Sequence, residues 1–156
     1  MPADGGQAFQ VTYDGGHESF ESPDGKLLYY EDYGIKGLLR SISTENSSGP
    51  REGTVVLSAL RPGFWAVTEN GIYFVRFDDR HADPFTLYFF VAGASEVPQP
   101  IMFYDFKTKK FSQIGAIEKP LIRPAPGFSV TWDGRYIAWS QVDRAESDLM
   151  MIENFR

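Results

Sequence analysis

The sequence predicts an all-β fold, and three observations carry that prediction. Aromatic residues make up 15% of the 156 residues, a bias typical of pleated, half-buried strands. The chain has 15 glycines and 10 prolines, which is more turn-forming residue than a helical protein needs. Three short turns with Asp-Gly or Asn-Gly each join two apolar runs, the pattern of a β-hairpin. We therefore expect antiparallel strands along the whole chain.

The first predicted hairpin turns at Ser22-Pro23-Asp24-Gly25, between runs 18–21 and 26–30. Glycine and asparagine tolerate the positive φ that such turns demand. Two further strand-like runs follow, 37–43 and 53–57, separated by a polar turn at 44–50. These four runs predict one four-stranded antiparallel unit over residues 17–57.

The second hairpin turns at Glu69-Asn70-Gly71, between runs 64–68 and 72–77. Runs 101–106 and 111–117 complete a second unit over residues 63–117. The turns are 46 residues apart from Asp24 to Asn70 and 63 apart from Asn70 to Asp133, so the second unit contains an insertion near 85–99. Residues 85–91 are apolar enough to form an extra strand within it.

The third hairpin turns at Trp132-Asp133-Gly134, between runs 128–131 and 135–140. With a further run at 148–152 it predicts a third unit over residues 127–156, which lacks a fourth strand. Residues 7–12 form a lone strand with no unit of its own. Because an unpaired sheet edge invites another strand, we expect 7–12 to complete the last unit of a neighbouring set.

Four antiparallel strands are the content of one β-propeller blade, and a 46-residue spacing fits a blade repeat. Three blades are too few to close around an axis. The ring is completed either by blades of a longer parent protein or by a second copy. Two copies paired head-to-tail would form a six-bladed ring with two-fold symmetry.

The first hairpin resembles the WD-like propeller repeats of the TolB family, which are similar to those of prolyl oligopeptidases and dipeptidyl peptidase IV. The residues that carry the resemblance are Ser22-Pro23-Asp24-Gly25-Lys26-Leu27-Leu28-Tyr29-Tyr30 and, more weakly, Thr131-Trp132-Asp133-Gly134-Arg135-Tyr136-Ile137. The resemblance implies the C-terminal part of a TolB-like propeller in a larger bacterial protein. In that family the propeller is often fused to a winged-helix or protein kinase domain.

Composition excludes several classes of function. A net charge of -6 disfavours direct contact with nucleic acid, whose binders carry a basic face. The absence of cysteine excludes disulfides, thiolate metal sites and a cysteine nucleophile. No apolar stretch approaches the length of a membrane span, so we expect no membrane contact. The compartment stays open, with the periplasm or another extracytoplasmic location favoured over the cytoplasm.

Catalytic motifs are absent from the sequence. There is no Gly-x-Ser-x-Gly elbow, no phosphate-binding glycine loop and no dinucleotide fingerprint, and only two histidines are available. We therefore expect a non-enzymatic module without cofactors, which binds a protein or a small polar ligand and can form a homodimer. One alternative is the propeller domain of a prolyl oligopeptidase or dipeptidyl peptidase type enzyme. A third is a propeller glycosidase or lactonase, which would use Glu18, Glu21 or Glu69.

Propeller geometry collects the loops between second and third strands, and the crossings between blades, on one face. Charged and aromatic residues on such loops suit polar ligands or peptide segments. The cluster 78–83 is interpreted as a solvated charged loop, so no metal site is predicted. The candidate ligand-binding residues of this loop face are His17, Tyr33, Arg61, Asp79, His81, Arg123 and Asp143.

Overall fold

The protein is an all-β structure in which the strands form three antiparallel sheets. The computed structural model describes residues 5, 8, 10–13, 15–32, 37–45, 49, 51–76, 98–121, 127–141 and 143. None of these residues lies in a helix, which confirms the predicted all-β class. The described ranges contain ten strands, β1 (His17–Glu21), β2 (Leu27–Glu31), β3 (Leu39–Ser43), β4 (Thr54–Leu57), β5 (Leu60–Val67), β6 (Gly71–Arg76), β7 (Gln99–Asp105), β8 (Phe111–Ile117), β9 (Phe128–Val130) and β10 (Ile137–Trp139).

The first sheet has the order β1-β2-β3-β4 and the second the order β5-β6-β7-β8. The third sheet, as far as it is described, is the β9–β10 hairpin. Within each sheet, consecutive strands pair in the antiparallel direction. The strand bounds agree with the runs expected from the sequence to within a few residues, and β8 coincides with the run 111–117.

Both faces of β5, the first strand of the second sheet, are buried over Phe64–Val67. Along β5, Trp65 and Val67 belong to one hydrophobic cluster, whereas Phe64 and Ala66 belong to another. The alternation is the period of two that a strand imposes on its side chains. The stretch Phe64–Val67, which is apolar at every position, therefore needs a packing partner on each face of the sheet, and it has one on each.

The first cluster fills the space between the first and second sheets. Its buried residues are Tyr29, Leu39, Leu57, Leu60, Trp65, Val67, Ile72 and Phe74. The second cluster fills the space between the second sheet and the β9–β10 hairpin. Its buried residues are Phe64, Ala66, Val75, Ile101, Ile117, Leu121 and Phe128.

The first strands of the three sheets, β1, β5 and β9, lie next to one another. Phe20 of β1 meets the ring of Trp65 of β5 edge-on, with ring centroids 4.7 Å apart. The backbone N–H of Gly127, just before β9, donates to the carbonyl of Gly63 in β5 at 3.3 Å. The sheets are therefore stacked face to face, with neighbouring first strands at the junctions.

The turn of the first hairpin is fixed by a small hydrogen-bond network. The Ser22 hydroxyl donates to Asp24 Oδ1 at 2.7 Å and accepts from the backbone N–H of Leu27 at 2.9 Å. Asp24 Oδ1 also accepts the backbone N–H of Lys26 at 3.1 Å. Gly25 has φ of 68°, where an L side chain would be strained.

The turn of the third hairpin repeats this network at equivalent positions. The Thr131 hydroxyl donates to Asp133 Oδ1 at 2.7 Å and accepts from the backbone N–H of Tyr136 at 3.0 Å. Asp133 Oδ1 accepts the N–H of Arg135 at 3.1 Å, and Gly134 has φ of 70°. Two turns more than 100 residues apart therefore share one geometry, as expected of a structural repeat.

The Asn70-Gly71 turn differs, and the expected reason for its glycine is wrong. Neither Asn70 nor Gly71 adopts a positive φ. Glycine is needed at position 71 for space, because a Cβ there would lie 2.2 Å from the carbonyl oxygen of Tyr104 and 2.5 Å from Cε2 of Phe103. The close approach of β6 to β7, and not the turn conformation, excludes a side chain.

Several sequence-based expectations concern regions that the structure describes only in part. The extra strand at 85–91 and the strand at 148–152 lie outside the described residues, as does most of the insertion at 85–99. Of the run 7–12, Val11 accepts the backbone N–H of Arg51 at 2.9 Å, and Thr12 forms a parallel bridge with Arg51. That this run completes a neighbouring blade stays a prediction, as do the unit boundaries 17–57, 63–117 and 127–156.

Candidate functional site

A cleft lies between the leading segment and the end of the first sheet. Its volume of about 70 Å³ holds a few water molecules or one side-chain head group. The residues that line it are Thr12, Tyr13, Gly15, Tyr30, Asp32, Arg40, Arg51 and Glu52. Tyr13 and Asp32 fall in the ranges 13–17 and 31–36, which the propeller expected from the sequence would place on the binding face of loops.

Arg40 of β3 is the centre of the charge network in this cleft. Its Nε donates to Asp32 Oδ2 at 2.8 Å, and its Nη1 donates to the carbonyl of Gly53 at 2.8 Å and lies 3.0 Å from Glu52 Oε1. The hydrogen bond with Asp32, more than any other contact, raises the pKa of Arg40 above its ordinary value. The guanidinium is therefore a permanently charged, oriented group with little conformational freedom.

The carboxylates differ in exposure. The side chain of Asp32 is 24% exposed and that of Glu52 is 69% exposed. Both retain lone pairs that Arg40 does not use, because an ionised carboxylate has about four acceptor positions. The ring of Tyr13 is exposed beside them. Acceptor groups and an aromatic surface at one cleft suit a ligand that donates hydrogen bonds.

Arg51 links the cleft to the leading segment. Its Nη2 donates to the carbonyl of Ser43 at 2.8 Å, and its backbone N–H donates to the carbonyl of Val11. Its Nε is buried and has no hydrogen-bond partner among the described residues. The two arginines and two acids balance in charge, so the lining is polar and neutral overall.

Gly53 allows the turn before β4 to approach Tyr30. The hydroxyl of Tyr30 accepts the backbone N–H of Gly53 at 3.0 Å, and a Cβ on Gly53 would lie 2.6 Å from that hydroxyl and 2.9 Å from the carbonyl oxygen of Ser41. The floor of the cleft is thus set by a buried tyrosine and a residue without a side chain. Such a floor is rigid, which favours a preformed site.

The expected position of Arg61 on an exposed loop is wrong. Arg61 lies in β5 and is 2% exposed. Its Nη1 donates to Oε1 of Gln99 at 3.0 Å, and its guanidinium carbon lies 5.5 Å from the centre of the Phe64 ring. The sequence-based interpretation of Arg61-Pro62 as a crossing between blades is wrong, because β5 begins at Leu60 and includes both residues.

A buried acid lies at the same junction between the first and second sheets. Glu31, the last residue of β2, is 4% exposed, and its Oε1 accepts the backbone N–H of Gly63 at 2.8 Å. Gly63 has φ of 77° and lies in the irregular part of β5. This contact fixes the start of one sheet to the end of a strand in another, which is a structural role.

His17 and Asp143 are described outside the cleft. His17 is the first residue of β1 and pairs with Glu31, so the expected turn position of His17 is corrected to a strand. Oδ1 of Asp143 accepts from Lys119 Nζ and, at 3.0 Å, from Nε2 of Gln141. The bond from Lys119, ahead of the one from Gln141, lowers the pKa of Asp143. The cleft lining includes neither His17 nor Asp143.

The remaining candidate residues, Tyr33, Asp79, His81 and Arg123, lie outside the described residues. Sequence reasoning missed Tyr30, Arg40, Arg51 and Glu52, which are assembled from two strands and the turn between β3 and β4. Arg40 could have been recognised from the sequence, because it is the one charged residue in the strand Leu39–Ser43.

Among the residues that the structure describes, those that line the cleft include no serine, cysteine or histidine. Across the described ranges, no three His, Cys, Asp or Glu side chains are grouped so that they could hold a metal ion. A search of the same ranges finds no helix that could cross a bilayer.

Comparisons with known proteins leave the family of this chain undetermined. No protein-family model, no curated protein and no solved structure matches it.

Proposed function

We propose that this chain is a TolB-like propeller segment of about three blades that acts as a non-catalytic protein-interaction or ligand-sensing module. The repeated turn network supports the repeat, because Asp24 and Asp133 accept equivalent bonds. The order of strands within the two four-stranded sheets, and the contacts between first strands, also fit blades around an axis.

Head-to-tail pairing of two copies would close a six-bladed ring. The position of Val11 and Thr12 supports this proposal, since they lie beside Arg51, next to the outer strand of the first sheet. The fourth strand of a preceding blade would lie beside that outer strand. The inner strands of the same blade would then come from the second copy.

The observation that carries the binding role is the cleft around Arg40. A rigid floor, two oriented carboxylates and the exposed ring of Tyr13 are present at one point. Its volume fits a single side-chain head group, so we expect the ligand to be a segment of peptide with a basic side chain. A lysine or arginine head group would satisfy the free acceptor positions of Asp32 and Glu52.

A two-dimensional NMR titration of the 15N-labelled chain with the peptides Gly-Lys-Gly and Gly-Glu-Gly tests this role. We expect saturable shifts at Tyr13, Asp32 and Glu52 with the lysine peptide, and weaker shifts with the glutamate peptide. Glu52→Gln should weaken lysine-peptide binding severalfold, because it removes an exposed charge.

Glu118→Gln is the matched control, since Glu118 is exposed and lies outside the cleft lining. If both substitutions weaken binding of the lysine peptide equally, the effect comes from the net charge of the chain, and that result would contradict a binding site at the cleft. Turnover of a chromogenic ester or glycoside by the purified chain, without any peptide response, would overturn the non-catalytic assignment.

A further inference from the structure

Asn70-Gly71 is the one asparagine–glycine pair in the chain, whose other asparagines precede Ser47 and Phe155. The backbone nitrogen that follows an asparagine can attack the side-chain amide carbon, and glycine has no side chain to obstruct the attack. Asp-Gly pairs undergo the same ring closure. The Asp-Gly turns of the first and third hairpins are therefore the structures to compare with the second.

Both reacting groups are held by hydrogen bonds in the first and third turns. The backbone N–H of Gly25 donates to the carbonyl of Ser22 at 2.9 Å, and Asp24 Oδ1 accepts a hydroxyl and a backbone N–H. The third turn makes the equivalent bonds, with Gly134 donating to the carbonyl of Thr131 at 2.8 Å. The hydroxyl lowers the pKa of the carboxyl in each turn, and an ionised carboxylate resists attack by a nucleophile.

The second turn lacks these restraints. Within the described residues 68–71, the N–H of Thr68 donates to the carbonyl of Gly71 at 2.9 Å, but no bond returns from the N–H of Gly71 to the carbonyl of Thr68. The Asn70 side chain is exposed and has no hydrogen-bond partner among the described residues. The attacking nitrogen therefore lacks the turn bond that it has in the other two hairpins, and the attacked side chain is not held.

We propose that Asn70 is a site of spontaneous deamidation in the folded chain. The nitrogen of Gly71 forms a bond to Cγ of Asn70 and loses its proton, the bond from Cγ to Nδ2 breaks, and the amide group leaves as ammonia. Water then opens the succinimide ring, adding hydroxyl to a carbonyl carbon and a proton to the nitrogen. Cleavage at Cγ gives aspartate, and cleavage at the main-chain carbonyl carbon gives isoaspartate.

The two products change the second sheet in different ways. Aspartate adds one negative charge beside the exposed Glu69 and keeps the backbone as it is. Isoaspartate carries the main chain through Cβ and Cγ, so the carbonyl that accepts the N–H of Phe106 at 3.0 Å is no longer in the main chain. Gly71 would shift with it, although a Cβ there already lacks room beside Tyr104. We therefore expect isoaspartate, and not aspartate, to weaken this sheet.

Incubation of the purified full chain at mildly alkaline pH, followed by peptide mapping with mass spectrometry, tests the proposal. Each rate is divided by the rate in a synthetic peptide of the same local sequence, because asparagine and aspartate differ in intrinsic reactivity. We expect Asp24 and Asp133 to be slowed by about tenfold or more, since their hydrogen bonds must break first, and Asn70 by less than that. The ratio for Asn70 also measures any resistance from the close packing of Gly71 against Tyr104.

Ser22→Ala tests whether the turn bonds are the cause. It removes the hydroxyl that donates to Asp24, so isomerisation at Asp24 should rise severalfold. Asn70 and Asp133 should keep their rates, and they are internal controls in the same digest. Unchanged isomerisation at Asp24 would show that the side-chain bond does not protect this turn.

Asn70→Asp is the matched control for the effect on stability, because it adds the charge without lengthening the main chain. We expect the urea midpoint of the incubated chain to fall as its isoaspartate content rises, while the midpoint of Asn70→Asp stays close to that of the fresh protein. An equal fall in the two samples would assign the effect to charge.

The proposal is overturned if Asn70 is slowed as strongly as the two aspartates, or if it stays intact while its peptide converts. Neither result bears on the proposed binding role, because residues 68–71 lie outside the cleft lining. Loss of the response to Gly-Lys-Gly would in turn leave the chemistry at Asn70 unaffected.

Discussion

At the scale of single residues, the same residue type serves different physical purposes in equivalent turns. Gly25 and Gly134 are required by a positive φ, whereas Gly71 is required by the space beside Tyr104. The sequence motif shows that a turn is present, since glycine punctuates each hairpin. It does not show which constraint acts, because that depends on the neighbouring strand.

Gly71→Ala should destabilise the fold by about 1–3 kcal/mol, because the added methyl group meets backbone of β7 that has no room to move. Urea unfolding followed by circular dichroism gives the change in free energy. Gly115→Ala is the control, since a Cβ there meets nothing closer than Cδ1 of Ile101 at 3.8 Å. Equal losses in the two variants would refute the steric explanation.

Asp24 and Asp133, the carboxylates of the first and third turns, make a contribution to folding stability that changes with pH in a direction set by their lowered pKa values. The hydroxyl of Ser22 lowers the pKa of Asp24, and that of Thr131 lowers the pKa of Asp133, each below the ordinary value of 3.8. A group with a lowered folded-state pKa contributes stability that is present above its unfolded pKa. That contribution is lost as the pH falls through the lower, folded value.

Carboxyl-carbon NMR titration should therefore show both aspartates titrating below pH 3.8. Ser22→Ala should raise the pKa of Asp24 and leave that of Asp133 unchanged, so the second turn is an internal control in the same spectrum. A shift of both groups, or of neither, would mean that the hydroxyl is not the cause.

At the scale of elements, the second sheet holds the structure together because both of its faces are covered. The sequence predicted its strands, since its apolar runs are long and lie between clear turns. It did not predict that β5 starts at Leu60 and carries buried Arg61. Proline and glycine in a strand normally mark an end, and here they mark an irregularity within the strand.

Phe64→Ala should cost about 3–5 kcal/mol, because Phe64 is fully buried between the second sheet and the β9–β10 hairpin. The free energy of unfolding in urea measures it. Phe111→Ala removes the same side chain from a position that is 55% exposed and should cost much less. A loss at Phe111 as large as that at Phe64 would contradict the described burial.

At the scale of the whole molecule, the sequence predicted the all-β class and the repeated hairpins, but only a small part of the cleft. The fold class and the turns can be predicted from local sequence, namely from the apolar and aromatic runs and from the glycines and prolines that separate them. The cleft joins the leading segment to two strands and a turn, through bonds such as Arg40 with Asp32 and Arg51 with Val11. These contacts join segments that are far apart in sequence, so they depend on the tertiary fold and cannot be predicted from local sequence patterns.

A chain that ends at residue 118 should bind the dye ANS much more strongly than the full chain. It would lack the β9–β10 hairpin, so Phe64, Ala66, Val75 and Ile101 would lose their cover. Fluorescence at equal protein concentration measures the exposed apolar surface, and circular dichroism checks that strands persist. Unchanged fluorescence with intact strands would show that the hairpin does not cover this face.

The matched turns also bear on how the protein could be modified. Each tip is held by main-chain bonds and by two side chains, Ser22 with Asp24 in one and Thr131 with Asp133 in the other. The residue between them makes none of these bonds, and it is proline in the first tip and tryptophan in the third. That position is therefore open to substitution, and a fluorescent or affinity label could be attached there without disturbing the strands below.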